Sequence, residues 1–192
     1  MGDRKTTGSA AIKPDRSYTV EEYKAWPDDT RWELIHGHAY VMSPAPRPPH
    51  QRIVLNVSAG LERYLSGSPC EPFIAPVDVY LAEDTVVQPD VIVVCRPDVV
   101  TDEGIVGAPE LVIEVLSDST AYRDLNDKKA LYETAGVSEY WIINPGIGSV
   151  MVWHREDAAF GPVREYRLGE TVRSSAVSGF EWRFPEALLD RG

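Results

Sequence analysis

Along this chain apolar residues first cluster, then recur at helical spacing, then alternate, and each pattern predicts an element. The two most apolar runs are "QPDVIVVC" (88–95) and "PELVIEVLS" (109–117), short and rich in valine and isoleucine. Runs of that length and composition are strands with buried faces. "FIAPVDVYLA" reads as a third, and the acidic "AEDT" after it as a hairpin loop. "RWELIHGHAYVMS" predicts two strands with a turn at Gly37. From Pro49 the spacing turns helical: Val54, Val57, Leu61 and Tyr64 share one face, and "SGSP" stops the helix. Thr19 and Glu22 form a capping box, so a short helix starts at Val20 and ends by Pro27. "RPDVVTDEGIVGA" is a connector. A helix follows "SDST" from about Arg123 to Ala135, closed by Gly136. "EYWIIN", "SVMVWHR", "VREYRL" and "ETVRSS" are further strands, and "FPEALL" a short terminal helix.

This order of helices and strands predicts an α/β domain with a mixed sheet, extra antiparallel strands toward the C-terminus, and a right-handed βαβ step over 109–143. The chain has 192 residues, enough for one domain with a proper core over 18–192, preceded by a flexible tail over 1–17. No internal repeat interrupts it. No apolar run approaches the roughly 20 residues of a membrane helix, and the N-terminus lacks the apolar stretch of a secretory signal. Cys70 and Cys95 sit in apolar contexts without a C-x-x-C pair, and their plain reading is a reduced, cytoplasmic protein. The net charge of −11 argues against broad, nonspecific nucleic-acid binding, which is usually basic. It leaves room for a local site where a metal ion reverses the charge.

Two of the buried-looking strands each keep an acid. Asp90 shares a face with Ile92 and Val94, and Glu114 shares one with Val112 and Leu116, because alternate residues of a strand point the same way. Taken singly, Asp90 reads as a turn cap after Pro89 and Glu114 as a strand end near solvent. If the strands are neighbours, the two acids converge, and converging carboxylates repel unless a cation lies between them. Mg²⁺ takes one or two carboxylates with waters and phosphate oxygens, which suits metal-assisted phosphodiester hydrolysis.

Lysine is scarce, with five in the chain, and Lys128 and Lys129 are adjacent. At helical spacing Lys128 neighbours Leu125, Leu131 and Tyr132, whereas Lys129 also neighbours Asn126 and Glu133. Lys128 is therefore the inward one. A lysine snorkelling along apolar surface is the plain alternative.

An acid after proline in "QPD", then the glutamate of "IEVLS", then a lysine, resembles the PD-(D/E)XK nuclease superfamily. From Tyr18 to Asn144 the chain is similar to the bacterial branch of restriction endonucleases of the Uma-two type. The segments that carry the likeness are "YTVEEY", "WELIHGHAYVMSPAP", "HQRIVLNV", "VVQPDVIVV", "PELVIEVLSDST" and "DLNDKKALYETAGVSEYWIINP". The resemblance implies a central mixed sheet flanked by helices and Mg²⁺- or Mn²⁺-dependent endonuclease chemistry. It implies that Asp90 and Glu114 hold the metal. In the simplest superfamily pattern the lysine stands two residues after the glutamate, where this chain has Leu116; the matching lysine is Lys128 on the next helix. Glu33 in "WELIHG" matches the acid of the first motif, as a third metal ligand or a group orienting water.

His50 stands above the inward stripe of its helix, as a contact to phosphate or as a packing residue. Asp78 is a further acid within a strand, and His36 and His38 are turn and strand residues. Neither a phosphate-binding G-x-x-x-x-G-K-[ST] loop nor a G-x-S-x-G elbow occurs. These readings converge on a metal-dependent endonuclease acting on nucleic acid, DNA favoured, and a homodimer is expected since many nucleases cut two strands with paired sites. The rival is a noncatalytic, dimeric interaction module that keeps the fold; the acidic net charge speaks for it, and the acid–acid–lysine set against it.

Overall fold

The computed structural model describes residues 16–27, 30–42, 46–117 and 124–185. Most of the expected tail over 1–17, the "SDST" segment beyond Ser117, and the "FPEALL" helix beyond Pro185 lie outside them.

The chain first folds Val20–Lys24 into helix α1, with the Thr19–Glu22 capping box formed. Strands β1 (Trp32–Ile35) and β2 (His38–Val41) make a hairpin. Both residues of its turn, His36 (φ 49°) and Gly37 (φ 77°), are left-handed, as the tight turns that match strand twist require. A side chain at Gly37 would also run into Ser17 Oγ. Helix α2 (Pro48–Leu65) opens on prolines and buries Ile53, Val54, Val57, Leu61 and Leu65. Tyr64, expected on that buried face, is exposed and packs its ring against Phe180.

Two apolar stretches are each broken in two. "FIAPVDVYLA" yields β3 (Glu71–Ile74) and β4 (Val79–Ala82), while the segment around "VVQPDVIVVC" yields β5 (Thr85–Val87) and β6 (Val91–Val94). In each case proline sits at the break and the halves join different sheets. The connector after Cys95 carries a hairpin of β7 (Val100–Thr101) and β8 (Gly104–Val106). The sheet orders are β2-β1-β5-β4-β8-β7 for six strands and β12-β11-β10-β9-β6-β3 for the larger sheet, with β13 also on β11.

The larger sheet contains β9 (Leu111–Val115), β10 (Glu139–Asn144), β11 (Ser149–Glu156), β12 (Ala159–Phe160) and β13 (Arg164–Arg167). β9 and β10 are parallel and the other pairs antiparallel, so the sheet is mixed. Between β9 and β10 lie a π-helical turn at Asp124–Lys128 and helix α3 (Lys129–Ala135), which Gly136 closes at φ 94°. The last hairpin, β14 (Thr171–Arg173) and β15 (Glu181–Arg183), stands apart as a two-stranded ribbon.

Period-2 alternation builds two cores on the larger sheet. Val91, Val93, Leu111 and Ile113 face α2 and the C-terminal ribbon, through Leu61 and Trp182 among others. Ile92, Val94, Val112 and Ile142 face the six-stranded sheet and α3, meeting Ile35, Val87 and Tyr132. Asp90 and Glu114 belong to this second face, at the end of the layer between the sheets.

The reading of Cys70 and Cys95 as reduced is corrected: they form a disulfide. Although 25 residues apart, they lie one step beyond the Glu71–Val94 pair of β3 and β6 and so face each other across the ladder. The cysteines therefore give no ground for a reducing compartment. No described helix is long and apolar enough to cross a membrane.

Candidate active site

Strand register brings the two acids together. Val91 pairs with Ile113 and Ile92 with Val112 across β6 and β9; one step further sets Asp90 opposite Glu114 on the same face. The Asp90 amide lies 3.4 Å from Glu114 Oε2, and Asp90 Oδ2 accepts the Val115 amide at 2.8 Å. His50, in the first turn of α2, reaches the same oxygen with Nε2 at 3.1 Å. Its Nδ1 is buried and has no hydrogen-bond partner among the described residues.

Glu33 arrives from the other sheet. In β1 Trp32 points to the outer face and Glu33, like Ile35, to the inter-sheet layer. The backbone N–H of Gln88, the residue before Pro89, donates to Glu33 Oε1 at 3.1 Å. Lys128 lies between the layers, its Nζ 2.8 Å from Glu33 Oε1, 2.9 Å from Glu114 Oε1 and 3.7 Å from Asp124 Oδ1. It is only 5% exposed, with Glu33 at 2%, Glu114 at 4% and Asp124 at 2%. Lys129 instead lies with its ammonium 5.7 Å and 5.8 Å from the ring centres of Trp153 and Phe160, rather than lying open to solvent beside Asn126 and Glu133.

Asp124 and Tyr132 were not singled out by sequence reasoning. Asp124 stands four residues before Lys128, a spacing that pairs an acid with a lysine on one helical face, and this was the available signal. The Tyr140 hydroxyl donates to the Asp124 carbonyl at 3.0 Å and ties that turn to β10. Tyr132, one turn after Lys128, donates its hydroxyl to Glu114 Oε1 at 2.9 Å from full burial. A tyrosine at helical spacing in an apolar stripe gives no sign in sequence that its hydroxyl ends on a carboxylate.

The charges do not balance. Glu33, Glu114 and Asp124 surround Lys128, while Asp90 lies beside Glu114 and carries His50 at the margin. Burial, together with the charges of Asp124, Asp90 and Glu33, outweighs Lys128 and holds the Glu114 carboxyl well above the usual carboxylate range. Burial works against the Lys128 ammonium, but Glu114, Glu33 and Asp124 prevail and raise its pKa, so it stays charged. Burial likewise opposes the His50 imidazolium, and the bond and charge of Asp90 outweigh it, raising its pKa. Burial and the neighbouring acids push the Tyr132 hydroxyl far up, so it remains a donor.

With four acids close together and one buried ammonium among them, the site is short of positive charge. The donors on the inter-sheet face are hard oxygens, which suit Mg²⁺ or Mn²⁺. Among the described residues no three acidic, histidine or cysteine side chains form a closed set of metal ligands. Two carboxylates, Asp90 and Glu114, match the sparse protein ligation that Mg²⁺ accepts when water and phosphate complete its shell. On those grounds the residues fit a divalent cation.

The other sequence candidates lie apart. Asp78 accepts hydrogen bonds from Tyr23, Gln88 and Tyr80 on the outer face of the six-stranded sheet. His36 lies in the hairpin turn and His38 opens β2, and the His36 amide donates to Thr85 Oγ1.

The model of the Uma2 family, described as "Putative restriction endonuclease", matches residues 20–187. The uncharacterized protein slr1290 of Synechocystis sp. is 24% identical over 168 residues, covering 85% of this chain and 88% of that protein. The crystal structure of a putative nuclease belonging to DUF820 from Anabaena variabilis superposes with a TM-score of 0.73 at 16% identity, covering 90% of this chain and 97% of that one. The last likeness is one of fold, a mixed α/β architecture with few helices.

Proposed function

The chain belongs to the Uma2 family of restriction-endonuclease-like proteins, and from that premise we propose that it is a divalent-metal-dependent endonuclease that hydrolyses phosphodiester bonds of nucleic acid, DNA favoured. The observation that carries this reading is the pairing of Asp90 with Glu114 across β6 and β9 under the buried ammonium of Lys128.

In this reading Asp90 and Glu114 hold Mg²⁺ or Mn²⁺, and Glu33 is a third ligand or orients the attacking water. The cation supplies Lewis acidity toward a phosphate oxygen and lowers the pKa of water. Lys128 places a fixed positive charge where negative charge grows on the phosphate in the transition state, in a layer that excludes most solvent. Its three carboxylate neighbours keep it protonated and fix its direction. Tyr132 holds Glu114 Oε1, which leaves Oε2 on the side of Asp90. In this reading His50, bound to Asp90 through Nε2, is the candidate phosphate contact at the start of α2.

The test is metal-dependent cleavage of single-stranded, duplex and branched DNA and RNA. Wild type should cleave with Mg²⁺ or Mn²⁺ and not with chelator, and Lys128→Ala should abolish cleavage while retaining metal binding. A wild type that neither binds a divalent cation nor cleaves any of the panel would favour the noncatalytic module. That second reading draws on the Lys128 network, which ties Glu33 to Glu114 without any added group. A homodimer is part of the proposal, since two copies would present paired sites to two strands.

A further inference from the structure

The strand ends that deliver Glu33 and Gln88 to the site have a second face, and an open groove of about 550 Å³ lies on it. Trp32 lines the groove while its neighbour Glu33 faces the site. Gln88 serves both sides. Its backbone N–H donates to Glu33, and its side-chain Nε2 donates to Asp78 Oδ1 at 2.7 Å at the floor of the groove. The site and the groove therefore share one rim of the molecule, the start of β1 and the end of β5.

The lining is aromatic with a polar floor. Tyr23, Trp26, Trp32 and Tyr80 supply the rings. Asp78 accepts from the Tyr23 hydroxyl at 3.0 Å and the Tyr80 hydroxyl at 3.3 Å besides Gln88. An ionised carboxylate has about four acceptor positions, so roughly one is left for an N–H donor from a ligand. Burial and the Asp78 charge push Tyr80 up to about 12 and raise Tyr23 further, so both hydroxyls stay donors to the carboxylate. At the rim the exposed Arg31 spends Nε and Nη2 on Gln88 Oε1, and its guanidinium carries further N–H donors beyond those two bonds. An aromatic wall, one open carboxylate acceptor and a guanidinium at the mouth are the complements of a base plane, an exocyclic amino group and a phosphate.

We propose that this groove binds an unpaired nucleobase carrying an exocyclic amino group, from a nucleotide close to the scissile phosphate, with Asp78 accepting from the amine and Arg31 contacting the adjoining phosphate. The inference rests on the proposed nuclease function for the placement of the strand. Cytosine fits the acceptor at Asp78, whereas thymine presents a carbonyl oxygen there and is repelled. The groove thus gives the site a preference on one flank of the cut, and Gln88 links its filling to Glu33.

The experiment measures binding in chelator, where nothing is cleaved, using hexamers of deoxycytidine and of deoxythymidine and the full chain. The cytidine hexamer should bind wild type about tenfold more tightly. Asp78→Asn should erase that difference, and Arg31→Ala should weaken both hexamers alike while keeping it. Equal affinity of the two hexamers for wild type, or a preference that survives Asp78→Asn, overturns the proposal. Because the wild-type comparison needs no variant, poor folding of Asp78→Asn leaves it decisive. Cleavage is scored separately. Active enzyme without the preference sinks the groove alone, and the preference without metal-dependent cleavage sinks the nuclease reading alone.

Discussion

Replacing Lys128 by methionine removes the ammonium and keeps most of the side-chain volume, so the change isolates charge. The ammonium lies 2.8 Å from Glu33 and 2.9 Å from Glu114. At an effective dielectric near 20 such a contact is an attraction of about 6 kcal/mol before desolvation is counted, and desolvation cancels much of it. The carboxylates left behind have one escape, which is to take up a proton. At pH 7 protonating a carboxyl of ordinary pKa near 4.3 costs about 3.7 kcal/mol, which is less than leaving the charge buried and unpaired. The predicted loss is therefore about 3–5 kcal/mol at neutral pH, the usual range for orphaning a buried charge. For a chain of this size that lowers the melting temperature by roughly 10 °C.

The same escape makes the loss depend on pH. In the variant the folded carboxyls have raised pKa values, the direction Glu114 already takes in the wild type through burial and its acidic neighbours. Stability from a group raised in this way is fully present below its unfolded pKa and is lost as pH rises through the folded one. The deficit of Lys128→Met should be about 1 kcal/mol near pH 5 and reach its full size by about pH 7.5. Urea unfolding followed by tryptophan fluorescence at the two pH values reads both numbers. Lys129→Met is the control: among the described residues its ammonium sits over Trp153 and Phe160 with no buried carboxylate against it, and its loss should stay within about 1 kcal/mol. A deficit of equal size at both pH values, or equal losses from the two lysines, would refute this account of the buried charge.

Asp90→Asn should abolish the rise in melting temperature that Mg²⁺ or Mn²⁺ gives wild type, a shift of about 2.7 kcal/mol at a hundredfold excess over Kd. In wild type the metal affinity should increase with pH, since the raised pKa of Glu114 makes proton uptake there compete with metal, and calorimetry in two buffers reads any proton release. Tyr132→Phe removes only the hydroxyl that holds Glu114, and urea melts should show a loss of about 1–2 kcal/mol with the fold kept. Denatured without reductant, the chain should show no free thiol at Cys70 or Cys95. Reducing that bond, which spans 25 residues, should lower stability by about 3 kcal/mol.

Sequence alone settled what each strand does with its alternate residues. Valine and isoleucine at period two made β6 and β9 buried strands, and the same period put Asp90 with Ile92 and Glu114 with Val112, because side-chain direction in a strand is a local property. The inward turn of Lys128 was local too, following from its apolar neighbours three and four residues away. Pairing is not local, and there the tertiary structure decided. Nothing in "FIAPVDVYLA" or "VVQPDVIVVC" says that each run divides between two sheets, since both halves of each are equally apolar and the division depends on which strands lie alongside. The disulfide follows from the register of β3 on β6, a relation between segments 25 residues apart. Asp124 joins the site through a π-helical turn, and Tyr132 through the helix that follows it, whose placement depends on what they pack against. Glu33 meets Lys128 only because the six-stranded sheet lies over the larger one, and a charge can be buried in that layer because partners from β1, β9 and the π-helical turn arrive together.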